Sequence, residues 1–372
     1  MLRLRLKDKH AGALREMASA VNTVWNYCND LGMKALDRER RFLTGFDFQK
    51  YINGASKEGL AVGSAVFQQV AEEFATRRRQ FGKRRLRWRV SNPKRSNYSL
   101  GWIPFKARSL TYKSGQIGFQ GLRLSMWDSY GLADYELGAG CICEDARGRW
   151  YLNVTVTVAR KVLPVAQPIE SLNAIGIDLG LKDLYATSDC ATVQAQRFYR
   201  DLEPALATAQ RAGKKRRVKA IHAKIANRRK DALHKASTDI VRRHGAIFVG
   251  NVNAAALAKT PAAKSVLDAG WSAFRIMLAY KSDDAGRWSS QIDEAYSTQD
   301  CSSCGSRTGP KGHAQLDVRH WRCPACTTEH HRDINAAVNI RNRGLVWLEG
   351  VFAAAAEARA NEPAVNEARA PA

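Results

Sequence analysis

Two cysteine pairs, Cys301-Ser-Ser-Cys304 and Cys323-Pro-Ala-Cys326, stand eighteen residues apart near the end of the chain. Each C-x-x-C turn aims two sulfurs at one point, and the spacing is that of a four-cysteine structural zinc site. A metal there closes the intervening loop and supplies folding energy that so short a segment cannot draw from a core. A single pair would leave a redox role open; two at this spacing argue against it. Cys301, Cys304, Cys323 and Cys326 are therefore expected to hold structural Zn²⁺. His313, His320, His330 and His331 lie nearby, but four sulfurs already complete a tetrahedron. Directly afterwards, Arg332-Asp-Ile-Asn-Ala-Ala337 places a carboxylate, Asp333, in the first turn of a helix.

Charge constrains the partners. The 372 residues carry 59 Lys+Arg against 35 Asp+Glu, a net charge of +24. So much positive charge repels itself unless a polyanion neutralises it, and nucleic acid is the default polyanion. No apolar stretch approaches the roughly eighteen residues of a spanning helix. The start, Met1-Leu-Arg-Leu-Arg-Leu-Lys7, alternates like a strand and lacks the apolar core of a signal peptide. A cytoplasmic protein with reduced or metal-bound cysteines is expected. The charge is clustered: residues 77–95 and 211–230 each hold ten Arg/Lys and no acid. Arg77, Arg78, Arg79, Lys83, Arg84, Arg85, Lys214, Lys215, Arg216 and Arg217 are the candidate phosphate contacts. Trp25, Tyr27, Trp88, Trp102 and Tyr112 are stacking candidates, each read by default as a core aromatic.

The texture changes along the chain. Residues 13–38 repeat apolar positions at helical spacing (Leu14, Met17, Val21, Val24, Cys28), as do 64–82 (Val66, Val70, Phe74). From 99 to 158 short β runs dominate, and Asp145-Ala-Arg-Gly148 reads as a hairpin turn. Cys141-Ile-Cys143 has no partner pair at zinc spacing and reads as strand. Pro164 and Pro168 mark a linker. Beyond it, Ala174-Ile-Gly-Ile-Asp-Leu-Gly180, Leu184–Thr187, Ala246–Val252 and Ser290–Tyr296 read as strands. Long basic helices fill 200–244, closed by Gly245. An amphipathic helix over 263–281 carries Leu267, Trp271, Phe274 and Leu278 on one stripe. A last helix, Arg332–Arg343, is closed by Gly344. This is an α/β layout after a β-rich first half. The Ala-, Glu- and Arg-rich end is expected to be mobile.

Asp178 closes the apolar run Ile175-Gly-Ile177. Buried without a partner it is costly, and a cation offsets that cost. A turn aspartate facing water is an equal reading. Asp333 is equally a metal ligand or a charge favoured by the helix dipole. Their order relative to the cysteine knot raises both.

That order carries a resemblance. Gly176-Ile-Asp-Leu-Gly180, Arg229-Lys-Asp-Ala-Leu-His-Lys-Ala-Ser237, Leu267-Asp-Ala-Gly-Trp271 through Tyr280-Lys281, Tyr296-Ser-Thr-Gln299, the two cysteine pairs and Arg332-Asp-Ile-Asn-Ala-Ala-Val-Asn-Ile340 resemble the TnpB family. That family is transposon-encoded and similar to compact type V CRISPR effectors. The match is close over about 170–345 and looser before it. The resemblance implies a β and α/β multidomain fold. A wedge β-barrel over 1–165 would hold a helical recognition insert at about 10–95. An RNase H-like RuvC domain over 170–345 would carry a zinc-ribbon module at about 297–331, with a disordered tail over 346–372. It implies an RNA-guided DNA endonuclease that works with a guide RNA, double-stranded target DNA and two Mg²⁺ or Mn²⁺ ions, and no membrane.

One departure matters. Where the family has a catalytic Glu and then Asp, this chain has Gly250 and Asn251, neither an anionic ligand. Glu294, at the end of the next strand, is expected to replace the missing acid across about 4.8 Å between neighbours. Asp293 points to the opposite face. Asp178, Glu294 and Asp333 are thus the expected catalytic, magnesium-binding set. The rival is a cleavage-dead RNA-guided DNA binder. A strand-joining tyrosine transposase and a plain zinc-ribbon nucleic-acid protein rank lower.

Overall fold

The computed structural model describes residues 1–53, 59–159, 168–311, 315 and 317–360. The chain separates into two compact units, Met1–Ala159 and Arg160–Ala372. Most of the expected linker lies outside the described residues, as does His313.

The first unit runs β1 (Leu2–Arg5), α1 (Ala11–Glu39), α2 (Gly45–Ile52), α3 (Ser64–Phe81), β2 (Trp102–Phe105), β3 (Thr111–Lys113), β4 (Gln116–Phe119), β5 (Leu122–Ser125), β6 (Glu136–Glu144) and β7 (Trp150–Thr157). The periodic positions do what their spacing dictates: Leu14, Met17, Val21, Val24 and Cys28 of α1 and Val66, Val70 and Phe74 of α3 are buried in one core. Trp25 meets Phe74 edge-on at 5.2 Å. The Asp145–Gly148 turn joins β6 to β7, with Glu144 opposite Trp150. The strands form a sheet β1-β7-β6-β2 and a separate sheet β3-β4-β5. A single bridge, Leu6↔Met126, links them. Among the described residues no ladder joins the two sheets into one, and between β2 and β3 the chain passes through Arg108 in a left-handed conformation, φ 64°.

The second unit runs β8 (Ala174–Leu179), β9 (Asp183–Thr187), β10 (Thr192–Gln194), α4 (Phe198–Arg211), α5 (Lys215–Arg243), β11 (Ala246–Gly250), α6 (Ala254–Leu257), α7 (Ala263–Ala269), α8 (Trp271–Ala285), β12 (Trp288–Ile292), β13 (His320–Arg322), β14 (Glu329–His331) and α9 (Arg332–Ala360). The five-stranded sheet has the order β10-β9-β8-β11-β12. Its first three strands are antiparallel, and β8, β11 and β12 are parallel. Every residue of β11 is buried, as a parallel strand covered on both faces requires. Ile247 and Val249 face the core shared with α5 and α8; Ala246 and Phe248 face the other side, with Ile340 and Leu348 of α9.

Four local expectations change. Helix α5 ends at extended His244, φ −121°, so Gly245 is not its left-handed cap. The helix expected over 263–281 is broken at Gly270, φ 71°. The break rotates Leu267 to 63% exposure while Trp271, Phe274 and Leu278 stay buried. Gly344 does not end the last helix: a Cβ there would lie 2.1 Å from Cγ of Phe248, so the glycine makes room for a buried ring. Helix α9 accordingly continues to Ala360, through residues expected to be a disordered tail; 361–372 lie outside the described residues. No described helix is long and apolar enough to cross a membrane.

Candidate active site and cysteine knot

Two motifs far apart in sequence are the two sides of one contact. A Cβ on Gly176 would lie 2.0 Å from the carbonyl oxygen of Ala337 and 2.6 Å from the amide of Arg341. The glycine therefore lets α9 lie directly on β8, with Ala336 and Ala337 fully buried. Two residues along the strand from that contact, about 7 Å, is Asp178. One helical turn back, about 6 Å, is Asp333. Both carboxylates line one open cleft of about 1020 Å³.

Glu294 lines the same cleft. It follows β12, which pairs in parallel with β11 so that Gly250 stands opposite Ile292. The Gly250-Asn251 pair has a physical role here. A Cβ on Gly250 would lie 2.3 Å from Oε2 of Glu294, so the carboxylate occupies the space that a larger residue would take. Asn251 Oδ1 accepts a 3.3 Å hydrogen bond from the Glu294 amide. Asp293 is exposed and lines a different depression, with Arg343 and Trp347.

The electrostatics show uncompensated charge. Burial raises the Asp178 carboxyl well above its ordinary range, and the charges of Glu294 and Asp333 raise it further. Arg332 and Arg319 pull the other way. Burial also raises Glu294, against the opposing pull of Arg275. Oε2 of Glu294 is buried with no hydrogen-bond partner among the described residues. Converging, under-partnered carboxylate oxygens are the donor set that hard divalent cations take. Asp333, however, is engaged: Nη1 of Arg319 sits 3.0 Å from Oδ1 and 2.8 Å from Oδ2. The three carboxylates share a cleft but are not drawn together as tightly as the cysteines. Among the described residues only Cys301, Cys304, Cys323 and Cys326 form a group of at least three such side chains whose ligand atoms all lie within 4.8 Å of one another.

That quartet can hold a metal such as zinc. Sγ of Cys301 is 3.6 Å from that of Cys326, and Sγ of Cys304 is 3.7 Å from that of Cys323. A hydrogen bond from the Thr308 hydroxyl pulls the Cys323 thiol down to about 6, while burial pushes Cys301 up to about 11. His330 Nε2 lies 3.0 Å from Cys301 Sγ, beside the quartet rather than in it. Two buried asparagines, overlooked in the sequence, moor the knot to α9. Asn335 and Asn339 each donate to the carbonyls of Ser297 and Asp300, at 2.7–3.1 Å. Asn335 Oδ1 accepts from the Ser302 amide at 2.9 Å. The signal was their four-residue spacing, which puts both on one helix face.

The other motif residues hold helices together. Arg229 of α5 pairs with buried Asp268 of α7 at 2.9 Å, and Lys281 Nζ donates to Ser237 Oγ and Thr238 Oγ1 at 2.7 Å. Of the basic candidates, Arg77, Arg79, Lys83, Arg84 and Arg85 are exposed, as are Lys214, Lys215, Arg216 and Arg217. Arg77 and Arg84 already pair with Glu73 and Asp37. Arg78 does not fit a phosphate contact: it is 1% exposed, lies over the Phe42 ring and donates 2.7 Å to the Arg84 carbonyl. It pins the segment after α3 instead. Trp25 is core; Tyr27 and Trp88 are exposed.

Residues 153–260 match the family model described as "Probable transposase", and residues 271–340 the one described as "Cas12f1-like, TNB domain". A "Putative RNA-guided DNA endonuclease" of Streptomyces pristinaespiralis is 33% identical over 218 residues, 55% of this chain and 52% of that protein. A "Putative RNA-guided DNA endonuclease InsQ" of Escherichia coli (strain K12) is 26% identical over 226 residues, 53% of this chain and 54% of that protein. The chain spans about half the length of the curated relatives it matches. A solved structure of a Cas12f1–sgRNA–target DNA complex aligns over 92% of this chain and 98% of that chain, at 14% identity and a TM-score of 0.38, a likeness too slight to argue from.

Proposed function

We propose that the chain is a member of the TnpB family and an RNA-guided DNA endonuclease whose RuvC site is built from Asp178, Glu294 and Asp333. One observation carries the reading: Glu294 fills the space above Gly250 and opens onto the cleft of Asp178 and Asp333. The antiparallel β10-β9-β8 joined to parallel β8-β11-β12 supports an RNase H-like sheet, with one acid at the end of central β8, one just after edge strand β12 and one at the start of the covering helix. The cysteine quartet supports a zinc-ribbon module within it. The N-terminal unit, with its strands and helices α1–α3, is read as the wedge and recognition part.

In this reading Asp178, Glu294 and Asp333 hold Mg²⁺ or Mn²⁺. Two such ions, when bound, would supply an activated water and offset charge on the leaving oxygen of a phosphodiester. The protein's own part is positional. Gly176 sets the approach of Asp333 to Asp178, and Asn251 tethers Glu294. Arg275 lies near enough to temper the Glu294 charge. The exposed lysines and arginines grip the backbones of a guide RNA and a target duplex, while base pairing reads the sequence.

The competing reading is a DNA binder that does not cut, and Gly250 and Asn251 favour it. Cleavage of a target plasmid by the purified ribonucleoprotein separates the two. Wild type cuts with Mg²⁺, Glu294→Ala does not, and Gly250→Glu combined with Glu294→Ala regains activity. Equal inertness of wild type and Glu294→Ala, with target binding intact, would establish the binder. Sequencing the RNA that co-purifies with the chain tests the guide itself.

A further inference from the structure

Arg319 holds an unusual position. It lies between the two cysteine pairs, four residues before Cys323, yet its guanidinium reaches the acidic cleft. Nη1 straddles both oxygens of Asp333, at 3.0 and 2.8 Å, with the two side chains only 26% and 17% exposed. The knot fixes this placement. Arg319 leads into β13, which pairs with β14 so that His320 faces His331. Its carbonyl accepts a 2.7 Å hydrogen bond from the Arg332 amide. A cation seated across both oxygens occupies the approach a metal ion would use. Arg319 also acts on Asp178 as a neighbouring positive charge. Glu294 keeps one buried oxygen without a hydrogen-bond partner among the described residues.

We propose that Arg319 is a built-in competitor for the divalent cation at Asp333, delivered by the cysteine knot, so that metal loading of the carboxylates requires this guanidinium to let go. The inference rests on the carboxylate site proposed above. Its physical content is exchange: one positive partner of Asp333 leaves as another arrives, and no covalent bond changes. Two consequences follow. Arg319 weakens metal affinity in the absence of nucleic acid, a negative coupling between the knot and the acidic cleft. A phosphodiester entering the cleft offers the displaced guanidinium a new anion, for which its planar donor set is well suited. Metal and substrate then favour the same state.

Mn²⁺ titration of the full, zinc-loaded, nucleic-acid-free chain, followed by the electron spin resonance of free Mn²⁺, tests this without reading activity. Arg319→Gln binds Mn²⁺ on the order of tenfold more tightly than wild type, within the usual range of coupling between sites. Arg319→Lys, which keeps the charge, stays close to wild type. Arg322→Gln, in the same module but bonded to the Thr327 carbonyl, is unchanged. Zinc content and the melting transition check the fold, and Arg319→Met replaces Arg319→Gln if the latter loses zinc. Equal or weaker binding by the Arg319 variant, while Asp178→Asn abolishes binding in both backgrounds, overturns the inference and spares the carboxylate site. Absence of binding in every chain, or binding indifferent to Asp178→Asn, overturns both.

Discussion

Replacing Gly250 by alanine places a methyl carbon 2.3 Å from Oε2 of Glu294, 3.3 Å from Cδ1 of Ile340 and 3.4 Å from Cβ of Glu294. The contact with Glu294 Cβ is ordinary, and that with Ile340 is tight by a few tenths of an ångström. The contact with Oε2 is short by about 1 Å, and the carboxyl group must move by that amount because Gly250 is held in register with Ile292 of β12 and the preceding Val249 is paired on both sides. The fold should tolerate the change: alanine favours a strand over glycine by about 0.5–1 kcal/mol, which offsets the mild crowding against Ile340. Catalysis should not. A misplacement of about 1 Å costs on the order of a hundredfold in rate, or about 2.7 kcal/mol of barrier. The assay is Mg²⁺-dependent cleavage of a target plasmid by the guide-loaded protein, compared with melting of the same preparations. Gly250→Ala is expected to lose about two orders of magnitude of cleavage with its melting temperature held. Wild-type cleavage by a well-folded Gly250→Ala would refute a catalytic Glu294 seated over this glycine.

Three further outcomes are expected. Metal analysis of the purified chain finds about one zinc per molecule, and Cys323→Ser loses it along with the cooperative melting of the second unit. Arg229→Ala leaves the buried Asp268 carboxylate with the Tyr199 amide as its remaining partner and lowers unfolding free energy by about 2–3 kcal/mol, below the range for fully buried pairs because Arg229 is partly exposed; denaturant melts read this, and a change under about 0.5 kcal/mol counts against the clamp. The first unit loses stability on acidification. Burial, then Lys9 and Lys7, hold the His10 imidazole below its ordinary value while Nε2 accepts from the Ser125 amide at 2.9 Å. The unfolded chain therefore takes up the proton first. Stability from this group is complete above about pH 6.5 and falls as pH drops toward the folded value, by at most about 1.4 kcal/mol per pH unit. His10→Gln flattens that fall in melts from pH 7.5 to 5.5; an unchanged slope would argue against it.

What the sequence made legible was whatever a period or a spacing encodes. The cores of α1 and α3, the hairpin at Asp145 and the cysteine quartet all follow from local pattern, whereas the placement of β12 beside β11 came from what the family resemblance implies. The misreadings have one cause, a glycine or charge whose meaning lies across the fold. Gly344 looked like a helix stop and is instead room for Phe248. Gly245 looked like a cap, yet the chain there is extended and its amide bonds the Asn173 carbonyl. Arg78 looked like one more phosphate contact in a basic run, but helical phase turns it inward. The Arg319–Asp333 pair was invisible for the same reason: its members stand fourteen positions apart, with the second cysteine pair between them. Asn335 and Asn339 were within the motif but silent, because a side-chain amide announces neither what it donates to nor why.

The in-register end of β11 beside β12 has a consequence for how such chains are compared. Two strands running the same way finish like adjacent piers, and a long side chain near the end of one can stand over the other. At such a place one volume can be filled from either strand. A survey that scores only the letter at position 250 would file this chain among the inactivated. One that asks which oxygen occupies the space above that glycine would group it with the acid-bearing chains, and it would do so for every relative whose acid has stepped sideways.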